Sequence, residues 1–305
     1  MDAYVIIATK GRPRDVYELL GWLQAQTAPA QHVVVVGAGP EDVEGLAAHP
    51  QAIAGGVTVL LASRAGLTVQ RNTGLNHLEA QGWLDRGPCM VAFFDDDFRP
   101  ALTWLAEATR FFEASPDVVG LTGCVLADGA QRDPLTSADA LEYIERRRPA
   151  VPHWASGPTV RDLESLYGCN MVFRDVVVRK CRFDESLPFY GWQEDQDYTG
   201  QALRLGRTVY MPTCEGVHLG TRSGRVSGLR FGYSQIANPL YLMRKGTMPR
   251  KKAWQFMSRH LAANAVRSLL THPRVDYRGR FRGNMHALAD VLTGRCAPSR
   301  VVDLG

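Results

Sequence analysis

An α/β fold with a mostly parallel sheet, followed by a helical region, is what the sequence predicts, and three observations predict it. Short β-branched runs alternate with amphipathic stretches through the first hundred residues, the pattern of right-handed βαβ crossovers. The apolar run Val91-Ala-Phe-Phe94 leads straight into Asp95-Asp96-Asp97, as a buried strand ending in a polar turn does. Beyond Gly224 strand-like runs give way to helical periodicity that lasts to the end.

The candidate strands of the first half are residues 4–8, 32–36, 57–61 and 90–94, each a short apolar or β-branched run. Between and after them lie candidate helices at 13–26, 42–48, 67–81 and 101–113. Further strands are expected at 118–125, 170–173 and 208–211, with a helix over about 194–205. Residues 146–167 carry three prolines and little periodicity, so they read as a long loop, a feature that is often functional. The last helices are expected at 230–244, 251–270 and 279–292. The expected division is a catalytic domain over 1–222, with halves at about 1–98 and 99–222, and a basic helical region over 223–305.

Composition narrows the class. Apolar residues make up 45% of 305 and charged residues 22%, enough to bury a substantial core and too apolar for wholesale disorder. No run approaches the roughly 18 apolar residues of a membrane span, and Met1-Asp2-Ala3 has no basic leader. Six cysteines without a CxxC pair suit reduced thiols better than a disulfide framework or a zinc site. A cytoplasmic protein is expected. The net charge of +4 hides an asymmetry: from Arg244 onward there are 13 Lys/Arg against 3 Asp/Glu, leaving −6 on residues 1–243. A basic end on a mildly acidic body points to an anionic partner such as a membrane surface.

Gly37-Ala-Gly39-Pro-Glu-Asp42, after a valine-rich run, imitates a dinucleotide fingerprint. The third small residue that close helix–strand packing requires is Asp42 here, so no nicotinamide site is expected. The Asp95–Asp97 cluster carries more chemistry. Residues two apart on an extended segment share a face, so Asp95 and Asp97 point at one spot while Asp96 points away or inward. Carboxylates gathered at a strand's carboxyl end repel one another unless a cation sits among them, and oxygen ligands suit Mg²⁺ or Mn²⁺. Such an ion neutralises a departing nucleoside diphosphate; a plain Asp-rich turn is the alternative.

A second acidic group, Glu194-Asp195-Gln-Asp197, opens a helical run, where the helix dipole favours negative charge. Phe189, Tyr190 and Trp192 precede it and could wall a carboxylate in, raising its proton affinity for general-base work. Ordinary helix-start residues would look the same.

Together these segments resemble the inverting GT-A-fold glycosyltransferases of family 2, over about residues 4–246 and in that family's order. The resemblance is carried by Ala8-Thr9-Lys10-Gly11-Arg12, Gln70-Arg71-Asn72-Thr73-Gly74-Leu75, Asp95-Asp96-Asp97, Gly168-Cys169-Asn170-Met171-Val172-Phe173-Arg174, Glu194-Asp195, and His218 in Glu215-Gly-Val-His218-Leu-Gly. It implies a GT-A fold with a Rossmann-like sheet, and a metal site of Asp95, Asp97 and His218 for Mn²⁺ or Mg²⁺. It also implies donor binding by Thr9, Lys10, Gly11, Arg12, Arg71, Asn72, Asp95, Asp96 and Asn170. Asp195 would be the general base, with Glu194 the second choice, and Tyr190 and Trp192 would face the acceptor. The chain departs from the family at Gly37, where members often carry an acidic residue that helps read uracil; Glu41, Asp42 or backbone groups would substitute, and uridine is the first choice of base.

The implied reaction moves a sugar from a nucleoside-diphosphate donor to a hydroxyl of a saccharide or lipid-linked acceptor, with inversion, as in bacterial surface polysaccharide assembly. Arg244-Lys245 and Arg250-Lys251-Lys252 flank a stretch with Trp254, Phe256, Met257, Leu261, Val266, Leu269 and Leu270. That pattern fits either peripheral contact with the inner face of a membrane or a helix packed on its own protein. Two rivals fit less well. A sugar-nucleotide nucleotidyltransferase would show a glycine-rich triphosphate loop near the start. A nucleic-acid-binding protein would leave the Asp95–Asp97 cluster unexplained, since clustered carboxylates repel phosphates, so no nucleic-acid partner is expected.

Overall fold

The computed structural model describes residues 1–130, 133–221, 227–270, 272 and 275–304. The chain divides into two compact units: Met1–Ala65, Val69–Arg182 and Gln201–Gly224 form the first, and Gly66–Thr68, Phe183–Gly200 and Arg225–Gly305 the second. The expected boundary between 222 and 223 falls within 222–226, outside the described residues.

The first unit holds the sheet. Its strands are β1 (Asp2–Thr9), β2 (His32–Gly37), β3 (Val57–Leu61), β4 (Cys89–Asp95), β5 (Phe98–Pro100), β6 (Val118–Asp128), β7 (Arg161–Asp162), β8 (Asn170–Arg174) and β9 (Arg207–His218). Their order is β3-β2-β1-β4-β8-β6-β9-β5, with β7 also on β9. β1 to β4 pair in parallel, and β6 pairs in parallel with β9. β8 lies antiparallel between β4 and β6, so β1, β2, β3, β4, β6 and β9 all run the same way, and the sheet is mostly parallel. Their carboxyl ends therefore gather on one edge, where ligands bind in open α/β sheets.

Helices α1 (Pro13–Gln24), α2 (Pro50–Ile53), α3 (Leu67–Ala80), α4 (Trp104–Ala114), α5 (Ser137–Ile144) and α6 (Asp175–Lys180) connect the strands. Pro13 opens α1, where its missing N–H costs nothing. Val16, Leu19, Leu20 and Leu23 then fall on one face and are buried. They pack with Val5 and Ile7 of β1, Val33 and Val35 of β2 and Met90 and Ala92 of β4, alternate positions that point to one side of the pleat. Each fully buried side chain of this kind stabilises by about 1.5–3 kcal/mol relative to exposure.

Three departures from expectation have local causes. Residues 42–48 form no α-helix: the 3₁₀ turns Pro40–Val43 and Leu46–Ala48 are separated by Gly45 at φ +77°, and only the short α2 follows. β9 continues past 211 to His218 although Pro212 interrupts it. The ladder with β6 jumps there, from Gly123 opposite Met211 to Cys124 opposite Glu215, so the proline sits in a bulge where no ladder hydrogen bond is required. Helix α5 was not expected, yet Thr136 and Asp139 close a reciprocal capping box at its start. Residues 146–167 hold no helix and only the two-residue β7.

The second unit contains the start of α7 (Glu194–Ala202) and helices α8 (Gly228–Lys245), α9 (Arg250–Ser268) and α10 (Tyr277–Leu292). Tyr233, Ile236, Ala237 and Leu240 of α8 pack on Met257 and Leu261 of α9 and Ala287 of α10. The apolar residues of α9 are thus divided. Ala253 and Met257 are buried, whereas Trp254 and Val266, with Leu269 and Leu270 just beyond the helix, are exposed. Among the described residues no helix is long and apolar enough to cross a membrane, and the six cysteines are free thiols.

Candidate active site and metal centre

At the carboxyl ends of β1, β2 and β4 the register sets Ala8 beside both Val36 and Asp95. Residues 96 and 97 turn the chain from β4 into β5, which pairs antiparallel with β9 and places Phe98 opposite His218. Asp95, Asp97 and His218 consequently offer donor atoms that all lie within 4.8 Å of one another. Two carboxylates and an imidazole converging so closely fit a Mn²⁺ or Mg²⁺ ion, with Mn²⁺ the more tolerant of the nitrogen ligand.

Charge holds this cluster together. Arg12, just past β1, places its guanidinium 3.0 Å from Asp96 and 3.1 Å from Asp97. Arg71 on α3 reaches Asp95 at 3.0 Å and donates to the Gly168 carbonyl at 2.8 Å. Asp97 also accepts the Thr221 N–H at 2.8 Å, and its Oδ1 lies 3.3 Å from His218 Nε2. Burial opposes ionisation of Asp97, but His218, Arg12 and the Thr221 N–H outweigh it and hold the carboxyl below the ordinary range. Asp96 is fully buried, and burial drives its carboxyl well above that range despite Arg12. Burial likewise raises Asp95, with Arg71 pulling the other way. For His218 burial favours the neutral ring, yet Asp97 and Asp128 overcome it and raise the imidazole well above its ordinary value.

The other residues expected on the donor side lie at the end of β1, in the turn after it, on α3 and at the start of β8. Thr9 ends β1 and is buried, Lys10 is exposed, and Gly11 takes φ +71°, a conformation glycine adopts without strain. Asn72 is buried beside Arg71 on α3. Asn170 opens β8 opposite Phe94; its Oδ1 accepts the Thr122 hydroxyl at 2.5 Å, and its buried Nδ2 has no partner among the described residues. An unsatisfied buried donor costs about 1–3 kcal/mol.

An acidic residue at position 37 would crowd its neighbours, because a Cβ would stand 2.7 Å from Val43 Cγ1 and 3.0 Å from the Gly39 carbonyl. Asp42 is already engaged: its carboxylate accepts the N–H groups of Gly11, Ala38 and Gly39 at 2.5, 3.0 and 2.8 Å. Of the two acidic residues weighed for base recognition, Glu41 is the exposed one.

Sequence reasoning missed four contributors. Gln70 donates to the carbonyls of Thr9 and Val36 at 2.7 and 2.8 Å and so pins α3 to the ends of β1 and β2. Asp128 holds His218 Nδ1 at 2.9 Å, and Tyr167 and His153 approach Asp128 in turn. Gln70 opens the family-like segment of residues 70–75, where no role was expected of it; the other three lie in segments with no local signature.

Glu194 and Asp195 belong to the second unit, at the first turn of α7. The approach to that turn is tightly folded, with Phe189, Gly191 and Gln193 all at positive φ (+58°, +61° and +72°). Gly191 closes the turn by accepting the Glu194 N–H at 2.7 Å. Glu194 is buried and Asp195 half-buried. Tyr190 is exposed, whereas Trp192 stands edge-on to Phe231, Phe256 and His260. Asp197 is committed elsewhere, to Lys245 Nζ at 2.8 Å and Thr247 Oγ1 at 2.6 Å.

No family model and no curated protein matches this sequence. Solved structures do. S. aureus TarS 1-349 in complex with UDP-GlcNAc superposes with a TM-score of 0.59 at 18% identity, over 100% of this chain and 84% of that one. The mannosyltransferase PcManGT from Pyrobaculum calidifontis, in complex with GDP-Man and Mn²⁺, gives 0.56 at 17% identity over 98% and 84%. The chain has the GT-A fold. A longer S. aureus TarS structure matches over 88% of this chain but only 44% of its own length, at 17% identity and a TM-score of 0.56, so the present chain spans less than half of that protein. In GT-A terms the Asp95–Asp97 turn stands at the sheet edge where the strands' carboxyl ends meet, and β9 brings His218 to it.

Proposed function

We propose that the chain is a divalent-cation-assisted, inverting glycosyltransferase of family 2 that moves a sugar from a nucleoside-diphosphate donor to an acceptor hydroxyl. The observation that carries the proposal is the convergence of Asp95, Asp97 and His218 at the carboxyl edge of a GT-A sheet. Structures of similar fold carry UDP-GlcNAc, or GDP-Man with Mn²⁺, which supports a nucleotide-sugar donor. An ion held by the three residues would neutralise charge developing on the diphosphate leaving group.

In this reading Arg12 and Arg71 supply fixed positive charge to the donor side, and Thr9, Gly11, Asn72 and Asn170 line it. Asp195 takes the proton of the acceptor hydroxyl as its oxygen bonds the anomeric carbon and the bond to the diphosphate oxygen breaks. One carboxylate base and no nucleophile gives inversion. The assignment of Asp195 rests on the motif and on its half-buried place at a helix start, with Tyr190 and Trp192 near it in sequence for acceptor contact. We assign catalysis to residues 1–222, a saccharide or lipid-linked acceptor, and UDP as the first nucleotide to try. Bacterial surface polysaccharide assembly is the role proposed for a transferase with such an acceptor.

The deciding experiment is a thermal-shift panel of nucleoside diphosphates with and without Mn²⁺, since ligands that bind only the folded state raise its melting point. A rise with one diphosphate, lost with EDTA, is expected; no rise with any would sink the proposal. Asp195→Asn should keep donor binding and lose turnover by orders of magnitude. The cytoplasmic, membrane-peripheral placement draws on the exposed Trp254, Val266, Leu269 and Leu270 among the basic residues of the last 62 positions. Co-sedimentation with anionic vesicles that vanishes at high salt is its test, and equal binding to neutral vesicles counts against it.

A further inference from the structure

We propose that Asp128 is a positioning residue that sets the His218 ring for cation binding, an inference that rests on the metal-assisted reading above. Asp128 ends β6, is 7% exposed, and stands in register with His218 of β9. Its Oδ1 accepts from His218 Nδ1 at 2.9 Å and from the Ala130 N–H at 2.8 Å. Its Oδ2 accepts the Tyr167 hydroxyl at 2.8 Å. His153 Nε2 lies 3.2 Å from the same oxygen, off the line of a good hydrogen bond but close enough for attraction. The His153 Nδ1 accepts the Ala155 N–H at 3.0 Å, which leaves the proton on Nε2, toward Asp128.

This arrangement fixes a tautomer. With Nδ1–H committed to Asp128, the lone pair of a neutral His218 falls on Nε2, the nitrogen 3.3 Å from Asp97 Oδ1 and so the one facing the ligand cluster. A carboxylate on the far nitrogen orients a ligating imidazole and makes it more basic, and removing such a partner costs about 10–100-fold in metal affinity. Tyr167 and His153 come from or border the long loop over 146–167, so that loop braces the cation site through one carboxylate. A purely structural tie between β6 and β9 would give the same contacts. It predicts lost stability without a specific loss of cation affinity.

The test is Mn²⁺ titration of the full chain, with and without UDP, followed by the electron paramagnetic resonance signal of free Mn²⁺. Asp128→Ala is expected to weaken Mn²⁺ binding up to about a hundredfold. Asp128→Asn, whose amide oxygen still accepts from Nδ1, should weaken it about tenfold. Melting curves without metal verify that each variant is folded, and Asp128→Asn, which preserves volume, carries the test if the alanine variant does not fold. A folded Asp128→Asn that binds Mn²⁺ as tightly as the parent overturns this inference alone. A parent chain that binds no Mn²⁺ overturns the metal reading and this inference together.

Discussion

Gly200 and Gly21 are both helical glycines, and alanine should act on them with opposite signs. Helix propensity favours alanine over glycine by about 1 kcal/mol at either position. At Gly21, exposed on α1, an added Cβ meets nothing within 4 Å, so Gly21→Ala should raise stability by about that amount. At Gly200 on α7 the Cβ would stand 2.3 Å from the Thr247 carbonyl oxygen and 2.8 Å from its carbon. Those are backbone atoms and cannot swing aside. The same carbonyl accepts from Gln196 Nε2 at 2.9 Å. Overpacking of this kind costs about 1–3 kcal/mol, and losing the hydrogen bond adds about 1 kcal/mol. The clash outweighs the propensity gain, and Gly200→Ala should destabilise by about 1–3 kcal/mol. For a chain of 305 residues, whose unfolding entropy is about 0.6 kcal/mol/K, that is a fall in Tm of about 2–5 °C, against a rise of about 1.5 °C for Gly21→Ala. Calorimetric melts of both variants decide it: a Gly200→Ala protein that melts at or above the parent would refute the packing argument for α7.

Other consequences can be checked on the same protein. Gln70→Leu leaves the carbonyls of Thr9 and Val36 without the donor they now share, at about 1–3 kcal/mol each; urea denaturation should show the loss, and an unchanged midpoint would count against the clamp. Burial, with Arg259 and Arg280 nearby, lowers His260 to about 4. A histidine depressed from its unfolded value near 6.5 binds its proton later when folded, so stability is lost as pH falls from about 6.5 toward 4, by at most about 3 kcal/mol. His260→Gln should flatten that slope in melts across pH, and an unaltered slope would put the acid lability elsewhere. Asp96→Asn should be the mild member of its pair, keeping activity within about tenfold, because burial favours the neutral carboxyl that asparagine imitates. Asp97→Asn should abolish Mn²⁺-dependent activity; equal damage from both would contradict the separate orientations of the two side chains.

The legible parts of the fold were those written in local pattern. Four parallel strands show as apolar runs, and the Asp95–Asp97 turn shows by composition. Where a side chain competes with the backbone the pattern misleads. Residues 42–48 look helical, yet Asp42 spends its carboxylate on the amides of Gly11, Ala38 and Gly39, and Gly45 turns the chain left-handed. β9 looked short because Pro212 ends a propensity run, although a bulge accommodates it. Helix α5 carries one local signal, the pair Thr136 and Asp139 of its capping box. The support of His218 was not readable at all: Asp128 is 90 residues away along the chain, and Tyr167 is 51 away. Only the β6–β9 register and the return of the long loop bring them together.

The charges at the sheet edge explain how so many carboxylates persist in one buried place. Asp95, Asp97 and Asp128 face Arg71, Arg12 and His218 at 2.9–3.3 Å, and the fourth carboxyl, Asp96, is the one that burial drives toward its neutral form. With His218 protonated, three negative groups meet three positive ones. The cluster is then close to electroneutral on its own. A divalent cation held by Asp97 and His218 would compete with the contacts they now make, a proton at His218 Nε2 and the guanidinium of Arg12 at Asp97. Affinity governed by exchange falls as acidity rises, because protons compete for the same nitrogen. It would also be sensitive to whatever fixes the far side of that imidazole, and through that contact the carboxylate behind His218 would bear on the cation.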